Sequence, residues 1–230
     1  MDPFWSYGLM IAGGAGWTLA LILAVIPVGI VLGLLGAAAK LSSWRVLRLG
    51  AETYTTFIRA MPELLVIFLV FFGGARAFNW LLAAVGFPEI QIDFNPFLAG
   101  VIALGVVQGA FATEVFRAAL LAVPAGQIEA AQACGFSRWQ TFRFVTLPQV
   151  WRLALPGLGN LLQILIKDTA LISVVGLADI MRNAQIASGA TKQPFTFLLL
   201  AAAVYLLFTT VATAVMMLLE RRANHAWRRA

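Results

Sequence analysis

Long apolar runs alternate with short polar stretches along this chain, and the length of the runs decides what they are. Five of them, about 9 to 37, 53 to 73, 97 to 122, 153 to 175 and 196 to 219, carry few charges and are bounded by basic residues or turn chemistry. At ~1.5 Å of rise per residue, ~20 apolar residues cross a hydrocarbon layer roughly 30 Å thick. The pattern therefore predicts an all-α, polytopic helical bundle with five transmembrane helices. It is read as a single membrane domain over residues 1–230, with an odd number of crossings and termini on opposite sides.

Charge fixes the orientation. Lys40, Arg45, Arg48, Arg59, Arg117, Arg138, Arg143, Arg152, Arg221, Arg222, Arg228 and Arg229 fall at one set of run ends, and only Arg76, Arg182 and Lys192 at the other. Basic residues near short loops stay in the cytoplasm, which puts the N-terminus outside and the C-terminus inside. The net charge of +6 is then accounted for by membrane topology and needs no nucleic acid.

Composition agrees with lipid as the solvent: 61% of residues are hydrophobic, 11% are charged, and the mean hydropathy is +0.90. Cys134 is the one cysteine and His225 the one histidine, which excludes an intrachain disulfide framework and any Cys or His metal cluster. No Lys or Arg precedes Lys40, so the first run is expected to remain as a helix rather than be cleaved as a signal peptide. The three lysines, Lys40, Lys167 and Lys192, follow Ala, Ile and Thr, not the glycine of a phosphate-gripping loop. No nucleophile and base stand in a catalytic pattern, so neither ATP binding nor chemistry on a substrate is expected of this chain, and no catalytic residue is assigned.

Small residues recur inside the runs: Gly29 and Gly33, Gly105 and Gly109, Gly157 and Gly159. Close helix packing is the favoured reading, ahead of gating. Pro27 and Pro62 each remove a backbone donor and invite a kink. Trp5, Tyr7 and Trp227 read as interfacial anchors. The stretch 176 to 195, with Asp179, Arg182 and Asn183 among apolar residues, reads as a short amphipathic helix at the outer surface.

A polar island separates the third and fourth runs, about 123 to 152. Gly126 to Cys134 reads as one short helix that Gly135 ends in a left-handed conformation; Ser137 and Gln140 fit a capping box for a second, which Leu147-Pro148 should end. The island is a helix-turn-helix with a small-residue face at Ala130, Ala131 and Ala133, flanked by Glu129 and Arg138, suited to filling a socket on a partner.

Glu129-Ala130-Ala131, Gly135 and Leu147-Pro148 resemble the coupling loop of bacterial ATP-binding-cassette importer permeases. Gly16-Trp17-Thr18-Leu19, Phe57-Ile58-Arg59-Ala60-Met61-Pro62, Thr113-Glu114-Val115-Phe116-Arg117, Val123-Pro124-Ala125-Gly126-Gln127 and Lys167-Asp168-Thr169-Ala170-Leu171 resemble, in order, the blocks of the polar amino-acid permeases in that group. Pro62-Glu63-Leu64 and Glu220-Arg221-Arg222 are most similar to the permeases for histidine, arginine, ornithine and the opines octopine and nopaline. The resemblance implies a multi-pass inner-membrane importer subunit that pairs with a sister permease or a second copy. It also implies two cassette ATPases that bind ATP and Mg, and a periplasmic binding protein that delivers substrate.

Ionisable groups at membrane depth usually face a bundle interior or a wet cavity, which makes Glu63, Glu114, Lys167 and Asp168 candidates for the substrate pathway. Each has a structural alternative: Arg59 with Glu63 four apart, Glu114 with Arg117 three apart, Lys167 beside Asp168. Thr169 and Ser173, four apart, are expected to offer hydroxyls on one face. Two other classes stand beside the importer: a passive channel or ion-coupled secondary transporter, and a membrane scaffold that only recruits a partner. Paired inverted halves, frequent in secondary transporters, are not evident in five unequal runs.

Overall fold

The computed structural model describes residues 3–225, which leaves Trp227, Arg228 and Arg229 outside the described residues. The described part is built of helices: α1 (Pro3–Lys40), α2 (Arg45–Ala60), α3 (Glu63–Ala84), α4 (Pro96–Leu121), α5 (Ala125–Ala133), α6 (Arg138–Val175), α7 (Ile180–Thr191) and α8 (Pro194–His225). Five of these, α1, α3, α4, α6 and α8, are long and apolar enough to cross a membrane.

The second expected run, about 53 to 73, is divided in the structure. Pro62 has no N–H and disfavours a helical conformation in the residue before it, and Met61 is extended at φ −92°, ψ 146°. The helix stops at Ala60 and restarts at Glu63. Upstream of that break, α2 is amphipathic and exposes Val46, Leu47, Leu49 and Phe57. The Tyr54 hydroxyl donates to the Val106 carbonyl at 2.6 Å and ties α2 to α4. The apolar crossing candidate is α3, displaced toward the C-terminus from the expected run and carrying a π-helical turn at Leu69–Gly74.

A second expectation also needs correction: Leu147-Pro148 does not end a helix. The backbone stays helical from Arg138 to Val175, with a π-helical turn at Phe142–Thr146 immediately before Pro148 and a tight 3₁₀ segment at Thr169–Val175. A π turn shifts the hydrogen-bond register, and that is how a proline lacking its N–H is passed without a break. Pro27 is likewise carried inside a continuous α1.

α4 sits at the centre, with most of its length buried against α1, α3 and α6. Lipid tails are as apolar as leucine, so hydrophobicity gives these helices little reason to associate; close contact does. The glycines supply it. A Cβ on Gly33 would lie 2.6 Å from Cβ of Ala112, and one on Gly105 2.6 Å from Cγ1 of Val28. Leu21, Val25, Leu104, Val107, Val66, Ile67 and Ile166 fill the middle of the bundle. Ala37, Phe116 and Ala154 close one end, and Ile11, Ile180, Ala184 and Phe197 the other.

α7 is the short helix expected between residues 176 and 195. Asp179 caps it, its Oδ1 accepting from the Arg182 N–H at 2.8 Å. The same carboxylate is fully buried, its Oδ2 has no hydrogen-bond partner among the described residues, and burial pushes its pKa up from 3.8 to about 6.

Candidate translocation and coupling site

The polar island forms the expected helix-turn-helix. α5 ends in a Schellman turn: Phe136 N–H donates to the Ala131 carbonyl at 3.1 Å and Gly135 N–H to Gln132 at 3.0 Å, with Gly135 at φ +86°. Any side chain there meets left-handed strain. Ser137 then opens α6 with a complete capping box: its Oγ accepts from the Gln140 N–H at 3.3 Å, and the Gln140 side chain accepts from the Ser137 N–H at 2.8 Å. The three alanines do not share one face. Ala131 is buried toward the bundle, while Glu129, Ala130, Ala133 and Gly135 are exposed.

The turn also exposes two aromatic residues, for which small-residue spacing gives no signal. Phe136 and Trp139 are 41% and 69% exposed on this polar turn, outside the apolar crossings. Behind the face, Gln149 Nε2 donates to Gln127 Oε1 at 2.6 Å and to the Val145 carbonyl at 3.0 Å. That bridge clamps α5 to the start of the long α6 rod. Leu147 and Pro148 lie in the rod itself.

Glu114 is held by cations from three helices. Its Oε1 accepts from Lys40 Nζ of α1 and lies 3.8 Å from Arg59 Nη1 of α2; its Oε2 lies 3.8 Å from Arg117 Nη1 of its own helix. Arg59 also stands over the Phe111 ring, 5.3 Å from its centroid. Arg59 therefore serves Glu114, not Glu63: the break at Met61 and Pro62 destroys the four-residue spacing that would have paired them. Lys40 was missed in the sequence because its contact spans 74 residues. This node joins α1, α2 and α4.

Asp168 and Glu63 form a different environment. The start of α3 packs against the 3₁₀ segment that follows Asp168, and the two carboxylates interact electrostatically, with Lys167 as a neighbouring cation. Lys167 itself is exposed. Asp168 Oδ2 is buried and has no hydrogen-bond partner among the described residues. The neighbouring Leu165 and Ile166 pack with Leu21, Val25 and Leu104, placing the pair at the level of the bundle's middle. Thr169 and Ser173 do not offer free hydroxyls side by side. Both are buried and donate backward, to Ile166 at 2.7 Å and Ala170 at 2.7 Å. Their spacing no longer aligns them, because a 3₁₀ helix superimposes residues three apart, not four.

The model of the family described as "Binding-protein-dependent transport system inner membrane component" matches residues 26–225. This chain belongs to that family. Among curated relatives, the permease resembles the histidine/lysine/arginine/ornithine transport system permease HisQ of Salmonella typhimurium, with 44% identity covering 98% of both chains. It is 47% identical to the nopaline transport system permease NocQ of Agrobacterium fabrum, over 97% of this chain and 94% of the relative. A crystal structure of an amino acid ABC transporter with histidines superimposes with a TM-score of 0.80 at 32% identity, covering 94% of the permease and 95% of that chain. An inward-facing MetNI methionine ABC transporter shares the fold, with a TM-score of 0.71 at 18% identity. The polar amino-acid permease resemblance carried by the sequence blocks is thereby established, and the permease is a transport component of the membrane.

Proposed function

We propose that this chain is one permease half of an ATP-driven importer for a basic amino acid or opine, with its N-terminus outside and its C-terminus in the cytoplasm. Of two cassette ATPases, each binding ATP and Mg, one docks on Glu129, Ala130, Ala133, Gly135 and the aromatic rim of Phe136 and Trp139, and the other on the matching loop of the second permease. A second permease, sister or copy, completes the pathway, and a periplasmic binding protein delivers substrate at the face carrying α7. The names of the relatives and the asymmetry of basic residues support this arrangement.

One observation carries the substrate assignment: the helix that restarts after the break at Met61 and Pro62 packs against the 3₁₀ segment that follows Asp168, and the Glu63 and Asp168 carboxylates feel each other's charge. Transporters commonly place substrate where helices are interrupted near the bilayer midplane, because free helix ends supply partial charge there. Here Glu63 and Asp168 provide negative charge for a guanidinium or ammonium side chain. The first-turn amides of α3, at the positive end of its dipole, suit a substrate carboxylate. Lys167 is a second partner for that carboxylate.

The geometry also gives a route for force. Cassette closure moves α5; the Gln127–Gln149 bridge passes that motion to α6, and α6 carries it without a break to Asp168. The Glu114 node holds α1, α2 and α4 as the frame against which α6 moves. Uptake of labelled arginine, histidine or an opine into proteoliposomes holding the permease, its co-purifying subunits and the matching binding protein tests the reading. Entry that requires ATP and the cassettes is expected. Entry that persists without them would replace this reading with a channel or secondary transporter.

A further inference from the structure

An apolar groove of about 290 Å³ opens on the bundle between α1, α4, α6 and α8. Every residue lining it is apolar except Gln108. Along α6 it extends from Trp151 to Leu165, which at ~1.5 Å per residue is about 20 Å of helix and somewhat more than half of a ~30 Å hydrocarbon core. Its polar end is defined. Trp151 is 47% exposed at the mouth, the position where amphipathic rings settle at a headgroup boundary. On α8 the lining residues Val215 and Leu219 continue, three residues on, to Arg222 on the same stripe, with Arg221 beside it. Both arginines are exposed and form no ion pair among the described residues.

We propose that this groove binds one acyl chain of an anionic phospholipid of the cytoplasmic leaflet, with the headgroup phosphate held by Arg221 and Arg222. The inference rests on the orientation given above and not on the transported substrate. A groove filled by a single chain explains a void about one leaflet deep that ends under two arginines. Basic residues at this boundary attract anionic headgroups, whereas a zwitterionic headgroup offers them no net charge. The occupied site would wedge α8 against α1 and α6 at the end where α6 meets the coupling turn.

Native mass spectrometry of the purified transporter complex, with phosphatidylglycerol and phosphatidylcholine added in equal amounts, tests this. One phosphatidylglycerol retained per copy of this chain, at least tenfold in preference to phosphatidylcholine, is expected. The surface pair Arg221→Gln with Arg222→Gln should bring the two lipids close to parity while leaving the thermal midpoint unchanged. Leu158→Trp, which fills the groove, should remove both. Equal retention of the two lipids by the wild-type complex would overturn the proposal. So would a disulfide from Leu158→Cys to a matching cysteine on the second permease, because a protein and not a lipid would then cover the groove. Retention is read without transport, so its failure leaves the importer reading standing.

Discussion

Glu114 and Asp168 are both carboxylates inside apolar helices, yet their surroundings are opposite. Glu114 is met by Lys40, Arg59 and Arg117, a surplus of positive charge gathered from three helices around one acid. Asp168 is met by another acid, Glu63, with the exposed Lys167 as its neighbour in the chain, and keeps one oxygen without a hydrogen-bond partner among the described residues. A satisfied charge of this kind fixes helices in place, while an acid pair short of positive charge fits the role of cation site proposed for it here. The comparison separates a structural node from the proposed substrate site within one bundle.

Breaking the frame should have the largest effect. Glu114→Leu leaves three cations facing one another in a node that solvent screens in part, since both arginines are 43% exposed, and a loss of about 2–3 kcal/mol is expected, read as a fall in folded yield by size-exclusion profile. Normal yield and melting for that variant would erase the distinction between the two acids. Asp179 extends the series as a third carboxylate, buried at the cap of α7. Its folded pKa of about 6 lies above its ordinary 3.8, so the folded state binds the proton more tightly. The resulting stabilisation is complete below about pH 3.8 and lost as pH rises through 6. Roughly 3 kcal/mol is at stake across that window, and Asp179→Asn should flatten the pH dependence of the thermal midpoint there.

Next comes the site. Asp168→Asn should leave the thermal midpoint unchanged or slightly raised and lower ATP-dependent uptake of a basic substrate at least tenfold, about 1.4 kcal/mol, in proteoliposomes. A fall in stability with unaltered uptake would return Asp168 to the frame. The smallest structural change is Gly135→Val, which puts a β-branched side chain at φ +86° for about 1–2 kcal/mol of local strain. ATP hydrolysis continuing while uptake stops is the expected signature, since both carboxylate environments would be intact and only the link between them and the cassettes lost.

The sequence revealed most about what is local. Run length announced the apolar helices, and glycine spacing announced close helix packing, though not that α1 and α4 are the partners. Gly135, Ser137 and Gln140 announced the turn of the polar island, since Schellman turns and capping boxes are made by residues within a few positions of each other. Long-range partners were hidden: nothing near Glu114 in the chain points to Lys40. Hydrophobicity alone also blurred the end of α2 into α3, although Pro62 was visible, because Phe57 and Ile58 keep the run apolar across the break. At Pro148 the opposite happened. A proline that reads as a stop is absorbed by the π turn before it, a backbone adjustment with no side-chain signature.

That absorbed proline has a mechanical consequence. From Arg138 to Asp168 the backbone is one continuous helix, roughly 45 Å long at ~1.5 Å per residue, which passes both Pro148 and Pro156 without a stop. A jointed connection would let the cytoplasmic end twist while the far end lagged. A continuous one would keep the two in phase, so that, in the coupling proposed here, a small angular stroke at the turn becomes a lever arm's displacement at the acidic pair, without slack to be taken up first.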